Sequence, residues 1–268
     1  GVVILNKAHK SLLLSNSLDA VSSRIFATCF SIIAITELGF NGTQIGALNF
    51  FGSISFLVFA VPAGVWVDRT GATASLRVSY LIKFLLLSAL LFFYANGSLN
   101  FCTSALLVLS LGLISIVSET AQTAATTLIE NKQTSAGKLV SRMASADEAA
   151  GIVVPGAIGL TLAKIGGSIV FASSGVLAAL ALIFFSLSSR RVNNLKLEED
   201  SGNGKSSFFA GFHEIRSDKF LLTTIVVVAA GNIGLAIGDS VESILVLRSL
   251  NLGTPFYGLI GTVAAIAG

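Results

Sequence analysis

Five ionisable side chains stand inside stretches that are otherwise apolar: Asp19 and Arg24 in the first, Glu119 in the fourth, Asp147 at the opening of the fifth and Asp239 in the seventh. Hydrocarbon makes such groups expensive. An arginine at the centre of a membrane helix costs roughly 2.5–3.5 kcal/mol on insertion scales, whereas each strong apolar residue returns about 0.3–0.6 kcal/mol. Val21, Ile25, Phe26, Phe30, Ile32, Ile33 and Ile35 therefore barely offset Arg24, which must face a partner or water. The chemistry open to this set is the handling of protons and charge. A carboxylate can load a proton on one side of a membrane and release it on the other, and Arg24 can pair with that carboxylate or with an anionic part of a ligand. A fixed ion pair that ties helices together is the competing reading. For Asp239 and its neighbour Glu242 both readings stand, and Asp19 and Glu148 have a third option, reaching out to the membrane interface.

Other chemistries lack their residues. No H-E-x-x-H or G-x-S-x-G is present, and His9 and His213 fall outside the apolar segments, so no histidine metal ligand or relay is expected at membrane depth. Cys29 and Cys102 lie in or beside apolar stretches and read as small packing residues rather than a disulfide. Gly202-Asn203-Gly204-Lys205-Ser206 approaches a phosphate loop, but Glu199 occupies the place of the first glycine, and a flexible polar linker explains it better. No enzyme, cofactor, metal or nucleic-acid partner is expected.

The elements that must position these charges follow from composition. With 53% hydrophobic and 12% charged residues and a mean hydropathy of +0.85, the chain departs from the roughly 25% charge of soluble domains. It reads as an all-α polytopic membrane helix bundle. Eight spans are marked: Leu18 to Leu38, Ile45 to Val67, Val78 to Ala95, Phe101 to Thr120, Met143 to Ala163, Ile169 to Leu187, Phe220 to Val246, and one opening at Phe256. The chain starts at Gly1 without a methionine and stops at Gly268 in mid-helix, so a fragment of a longer protein is expected. Lys7, Lys10, Arg69, Arg77, Lys132, Lys138, Arg142 and the cluster from Arg190 to Lys219 all fall on one side, whereas Lys164 and Arg248 fall on the other. Lysine and arginine keep to the cytoplasm in short loops, which puts the N-terminus inside a cell membrane. The sequons Asn41-Gly42-Thr43 and Asn96-Gly97-Ser98 fall outside and carry little information.

Residues 1–187 form an N-terminal six-helix bundle in this reading, 188–218 a cytoplasmic linker and 219–268 the start of a second bundle. In the linker Phe208, Phe212 and Ile215 recur at helical spacing, consistent with a short surface helix or with a solvated connector. Gly42-Thr43-Gln44-Ile45-Gly46-Ala47-Leu48 and Gly253-Thr254-Pro255-Phe256-Tyr257-Gly258-Leu259 align with one inserted residue, each at an outer turn that opens a helix. Two charged residues, Asp68 and Arg69, sit between Gly64 and Gly71 in a tight turn joining the second and third spans. There Asp68 can pair with basic groups or cap a neighbouring helix, and Gly64 can let two backbones approach closely; an ordinary solvated turn is the alternative. Gly151, Pro155, Gly156 and Gly159 lie within the fifth span, where small residues permit tight helix contact.

The Gly64–Gly71 segment resembles the G-x-x-x-D-R-x-G signature of major facilitator transporters, matching at Gly64, Asp68, Arg69 and Gly71. Two basic residues normally follow; here Ala72 and Thr73 take those places and Arg77 comes later. The run from Leu128 through Gly159, with Gly211-Phe212, Asn232 and Leu250 to Gly268, is similar to the macrolide-efflux and enterobactin-exporter branch. The resemblance implies a six-helix N-terminal half plus the first two helices of the C-terminal half, with helices one, four and seven lining a central cavity. Arg24, Glu119 and Asp239 would then project where substrate and protons pass, and Asp68 would latch to the opposite half. The glycine–proline group of helix five would set a bend and seal one half of the bundle, or serve packing alone. Lys83, on a helix outside that cavity, would be structural or snorkelling. Many drug exporters of the family carry an arginine in helix four, where this chain has Glu119. The implied activity is proton-coupled export of a hydrophobic small molecule, such as a drug or siderophore, by a monomer in the lipid bilayer. Nutrient uptake or lysolipid flipping suits the same fold, and a channel or non-transporting scaffold is the alternative of another class.

Overall fold

Backbone that crosses hydrocarbon must satisfy its own N–H and C=O groups, and the chain does so with helices. The structure, a computed structural model, describes residues 2–130, 137–196 and 219–267. In order these are α1 (Val2–Thr36), α2 (Gly42–Thr70), α3 (Ala72–Ala95), α4 (Phe101–Glu130), α5 (Lys138–Ile165), α6 (Gly167–Lys196), α7 (Lys219–Ile244), a five-residue π-helical segment (Leu245–Ser249) and α8 (Thr254–Ala267). The all-α bundle expected from the apolar runs is what forms. Five of these helices are long and apolar enough to cross a membrane, and α2 is a sixth if its two parts, bent by 42° between Phe56 and Val58, count as one span. Pro62 lies one turn past the bend and can give no N–H to the carbonyl of Val58. Both repeated Gly-Thr segments do open helices, and the capping box of Asn41 and Gln44 starts α2. The suggested surface helix at Phe208, Phe212 and Ile215, the Gly202–Ser206 loop and His213 lie outside the described residues.

α1 starts well before the Leu18 expected for the first span. Polar residues such as His9 and Asn16 do not end a helix, because its hydrogen bonds are internal to the backbone. Leu12, Ser15 and Asn16 bury instead against the bundle. His9, left outside the spans in the sequence reading, stands at the first residue of the apolar stretch His9–Thr36 and is buried, with its Nε2 3.5 Å from Arg142 Nη1. α6 likewise runs on past Leu187 to Lys196.

Packing makes α1 the central strut, set between α6 and α5, while α3 lies against α6 and α4, α2 against α4 and α7, and α5 against α8. Ser22 and Ser174 lock α1 to α6 reciprocally, each hydroxyl donating to the other's carbonyl at 2.8 and 3.2 Å. The apolar interior falls into two clusters. One, with Leu12, Val67, Leu76, Tyr80, Leu139 and Phe185, sits at the end that carries the α2–α3 turn. The other, with Ile33, Phe40, Leu90, Leu107, Leu162 and Phe171, sits toward the opposite end.

Candidate functional site

Between these clusters α1 carries a belt of polar side chains into the bundle. Asp19 and Lys83 of α3 are 8% and 4% exposed, and the Lys83 ammonium donates to Asp19 Oδ1 and to Ser23 Oγ. Lys83 therefore does not snorkel; a carboxylate lies within reach at its own depth, so its charge is neutralised without leaving the bundle. Asp19 in turn serves Lys83, not Arg24. Asn16 Nδ2 donates to Asp147 Oδ1 at 3.1 Å, and Gln122 Nε2 donates to Tyr80 Oη at 3.1 Å. Arg24 turns to α5, where a Cβ placed on Gly151 would stand 3.6 Å from its Cζ and Nη2; its charge acts on Asp147. Glu119, on the exposed side of α4, interacts electrostatically with Asp19, Lys83 and Asp147. With Glu148 beside Asp147, carboxylates outnumber the two cations in this group.

The glycine–proline group of α5 divides its work. Gly151 faces Arg24, while Pro155, Gly156 and Gly159 face α8. Pro155 has no N–H for the carbonyl of Gly151 and its ring crowds that oxygen. One residue on, α8 enters the ladder itself: Thr262 Oγ1 accepts from the N–H of Gly156 at 3.1 Å and donates to the carbonyl of Ile152 at 2.7 Å. That hydroxyl joins the two groups that an unbroken helix would pair directly. Thr254 Oγ1 adds a bond to the carbonyl of Gly159 at 3.1 Å. The backbones touch here, since a Cβ on Gly159 would stand 2.6 Å from Thr254 O, and one on Gly258 would stand 2.3 Å from Pro155 O.

A cavity of about 600 Å³ opens between α1, α2, α4 and α7. Phe26 and Phe30, stacked with centroids 5.5 Å apart, form one wall, with Phe56 on α2 and Asp239 on α7 among the remaining lining. Asn49 also lines it and donates from Nδ2 to Ser240 Oγ at 2.8 Å. Arg24 and Glu119 are not lining residues, so the structure separates Asp239 from the pair it was expected to join. The π-helical turn Leu245–Ser249 follows directly on α7, with Arg248 Nη2 donating to the carbonyl of Ile35 at 3.3 Å. Such turns recur at functional positions.

At the α2–α3 turn a single residue, Gly71, makes the whole connection. Its φ of 84° and ψ of 145° suit glycine alone, and its N–H caps α2 on Val67 O at 2.8 Å. Thr70 Oγ1 lies 2.8 Å from Trp66 O and 2.6 Å from Ser75 Oγ, closing the corner. Asp68 and Arg69 are exposed in the last turn of α2. Arg69 complements the helix dipole there, whereas the negative charge of Asp68 opposes it, so helix stability gives no account of Asp68. Among the described residues no atom outside its own stretch of helix lies within 4 Å of a Cβ placed on Gly64. The close approach occurs at Gly159 and Gly258 instead. Ala72 and Thr73, 4% and 5% exposed, are packed under the corner, which is why these positions hold small residues rather than the signature's bases.

Charge balance across helices supplies the signal that sequence reading missed. A lysine in the apolar middle of α3 demands a carboxylate at its depth, and Asp19 meets that demand. Thr254, Thr262 and Asn49 gave no such signal, because a hydroxyl or amide is common in any helix.

Comparison with known proteins adds three findings. The family model of the Major Facilitator Superfamily matches residues 12–268. No curated protein matches the sequence. Among solved structures, a variant of the nucleoside transporter NupG superposes with a TM-score of 0.69 at 12% identity, covering 97% of this chain and 64% of that one. At that identity the likeness is one of fold, and the chain spans about 64% of the length of the protein it matches.

Proposed function

Because this chain belongs to the Major Facilitator Superfamily, we propose that it is part of a secondary active transporter that exports a hydrophobic small molecule in exchange for protons. The observation that carries this reading is the cavity between α1, α2, α4 and α7, walled by phenylalanines and holding the carboxylate of Asp239. Its volume of about 600 Å³ suits a drug-sized ligand. Proton coupling draws on the belt. Asp19, Glu119, Asp147 and Glu148 form one interacting group with Lys83 and Arg24 among the described residues, an excess of negative charge that proton uptake relieves. Glu119, on the exposed side, is the member open to loading from an aqueous path, with Arg24 steadying Asp147 across α1 and α5. The end that carries Gly64, Asp68, Arg69 and Gly71 faces the cytoplasm in this reading, with the N-terminus inside the cell membrane, and Asp68 latches that face to the opposite half.

The test is flux in vesicles bearing the complete protein. A fluorescent amphiphile should accumulate saturably in everted vesicles, collapse with a protonophore, and be lost in Asp68→Asn and Glu119→Gln. Accumulation only in right-side-out vesicles would reverse the direction and make the protein an importer. Gradient-independent, non-saturating conductance would remove the transporter reading altogether.

A further inference from the structure

Three basic side chains of α1, α3 and the π-helical turn are engaged away from the cavity. Lys83 is held by Asp19, Arg24 lies on α5 at Gly151, and Arg248 donates to the carbonyl of Ile35. Asp239 has no hydrogen bond or ion pair to its carboxylate among the described residues, and no basic residue is among those described as lining the cavity. The second polar group in the wall points the same way. With Nδ2 of Asn49 donating one hydrogen to Ser240, Oδ1 remains as an acceptor beside the second N–H. The one charged group that the described lining offers a ligand is therefore a carboxylate, with Glu242 one turn on adding negative potential through its interaction with Asp239. Opposite stand ring faces, Phe26 and Phe30 on α1 and Phe56 on α2, whose quadrupoles attract positive charge. An anion meets no cationic side chain among the described lining, only the Ser31 and Ser53 hydroxyls and the Asn49 amide, and a neutral hydrocarbon leaves the carboxylate without a counter-charge.

We propose that this cavity is selective for an organic cation, a molecule with one positively charged centre and apolar or aromatic bulk, with Asp239 taking the charge and Phe26, Phe30 and Phe56 the body. This deepens the transporter reading and rests on it for the role of the cavity, although binding can be measured without transport.

Two ions of one shape and opposite charge make the test. Radiolabelled tetraphenylphosphonium and tetraphenylborate are titrated by equilibrium dialysis against the complete protein in detergent. Tetraphenylphosphonium should bind saturably and more tightly than tetraphenylborate. Asp239→Asn should weaken it by about 10- to 150-fold, the scale of one hydrogen bond or ion contact to a charged group, and narrow or invert the preference. Asp239→Glu should keep most of the affinity, and an unchanged unfolding midpoint in Asp239→Asn shows that its loss is not misfolding. Equal or tighter binding of the borate, unchanged phosphonium affinity in Asp239→Asn, or no saturable phosphonium binding would each overturn the proposal. Phosphonium binding without gradient-driven flux removes the transporter reading and leaves the site. Gradient-driven flux of a neutral amphiphile that is indifferent to Asp239→Asn does the reverse.

Discussion

Replacing Gly258 by alanine adds one methyl group where α5 and α8 already touch. Its carbon would stand 2.3 Å from Pro155 O and 2.8 Å from Gly159 Cα, both backbone atoms that no rotamer can move. Ordinary C···O contacts lie near ~3.3–3.6 Å, so α8 must retreat by about 1 Å. The bonds from Gly156 N to Thr262 and from Thr254 to Gly159 O, both 3.1 Å, then pass out of range, and the 2.7 Å bond from Thr262 to Ile152 O stretches. Interhelical hydrogen bonds in membrane proteins average about 0.6 kcal/mol each, so these three represent roughly 2 kcal/mol. Overpacking adds about 1–3 kcal/mol. The expected loss is about 3–5 kcal/mol, read as the thermal unfolding midpoint of the complete protein in detergent. At about 2–4 °C per kcal/mol the midpoint should fall by roughly 6–20 °C. Gly151→Ala is the control, because its new carbon meets Arg24 at 3.6 Å, an ordinary contact. It should unfold within about 2–4 °C of the parent, a shift worth roughly 1 kcal/mol. If Gly258→Ala unfolds alongside that control, the backbone contact between α5 and α8 does not exist and the reasoning fails.

Lys83→Met strands the buried Asp19 carboxylate and should cost about 3–5 kcal/mol, whereas Lys83→Met with Asp19→Asn should recover more than half of that in the same unfolding assay; equal losses in the single and double variants would refute the pair. Gly71→Ala forces a side chain into a φ of 84° and should cost about 1–3 kcal/mol, measured as a lower midpoint with a helical circular dichroism spectrum unchanged at low temperature. Thr262→Val keeps the size of the side chain but removes both bonds to α5; roughly 1–2 kcal/mol should be lost, while Thr262→Ser restores most of it.

The helices were legible because each apolar run is bounded by polar residues, and a tight turn around Gly64–Gly71 was legible because Asp68, Arg69 and the two flanking glycines crowd into eight positions, although its reduction to Gly71 alone was not, since the third span was set to open only at Val78. What could not be read was register between helices. Asp19 and Arg24 share α1, yet one turns to α3 and the other to α5, and that choice is made by how α1 is rotated against its neighbours. The start of α1 was misplaced for a related reason: His9 and Asn16 look like loop residues until Arg142 and Asp147 are seen beside them. Gly156 and Gly159 signalled close packing from sequence alone. Their partners on α8 did not, since Thr254, Gly258 and Thr262 acquire meaning only when α8 lies against Pro155.

The ion pair of Lys83 with Asp19 joins residues 64 apart in sequence, and during synthesis they do not exist together. At roughly 5–20 residues per second the ribosome needs about 3–13 s to pass from one to the other. Throughout that interval α1 holds an uncompensated aspartate and arginine, which makes it a poor candidate for release into lipid on its own. Release of the first helix into lipid is therefore costly before the third brings Lys83 to Asp19, and Arg24 waits longer still, until the fifth brings Asp147.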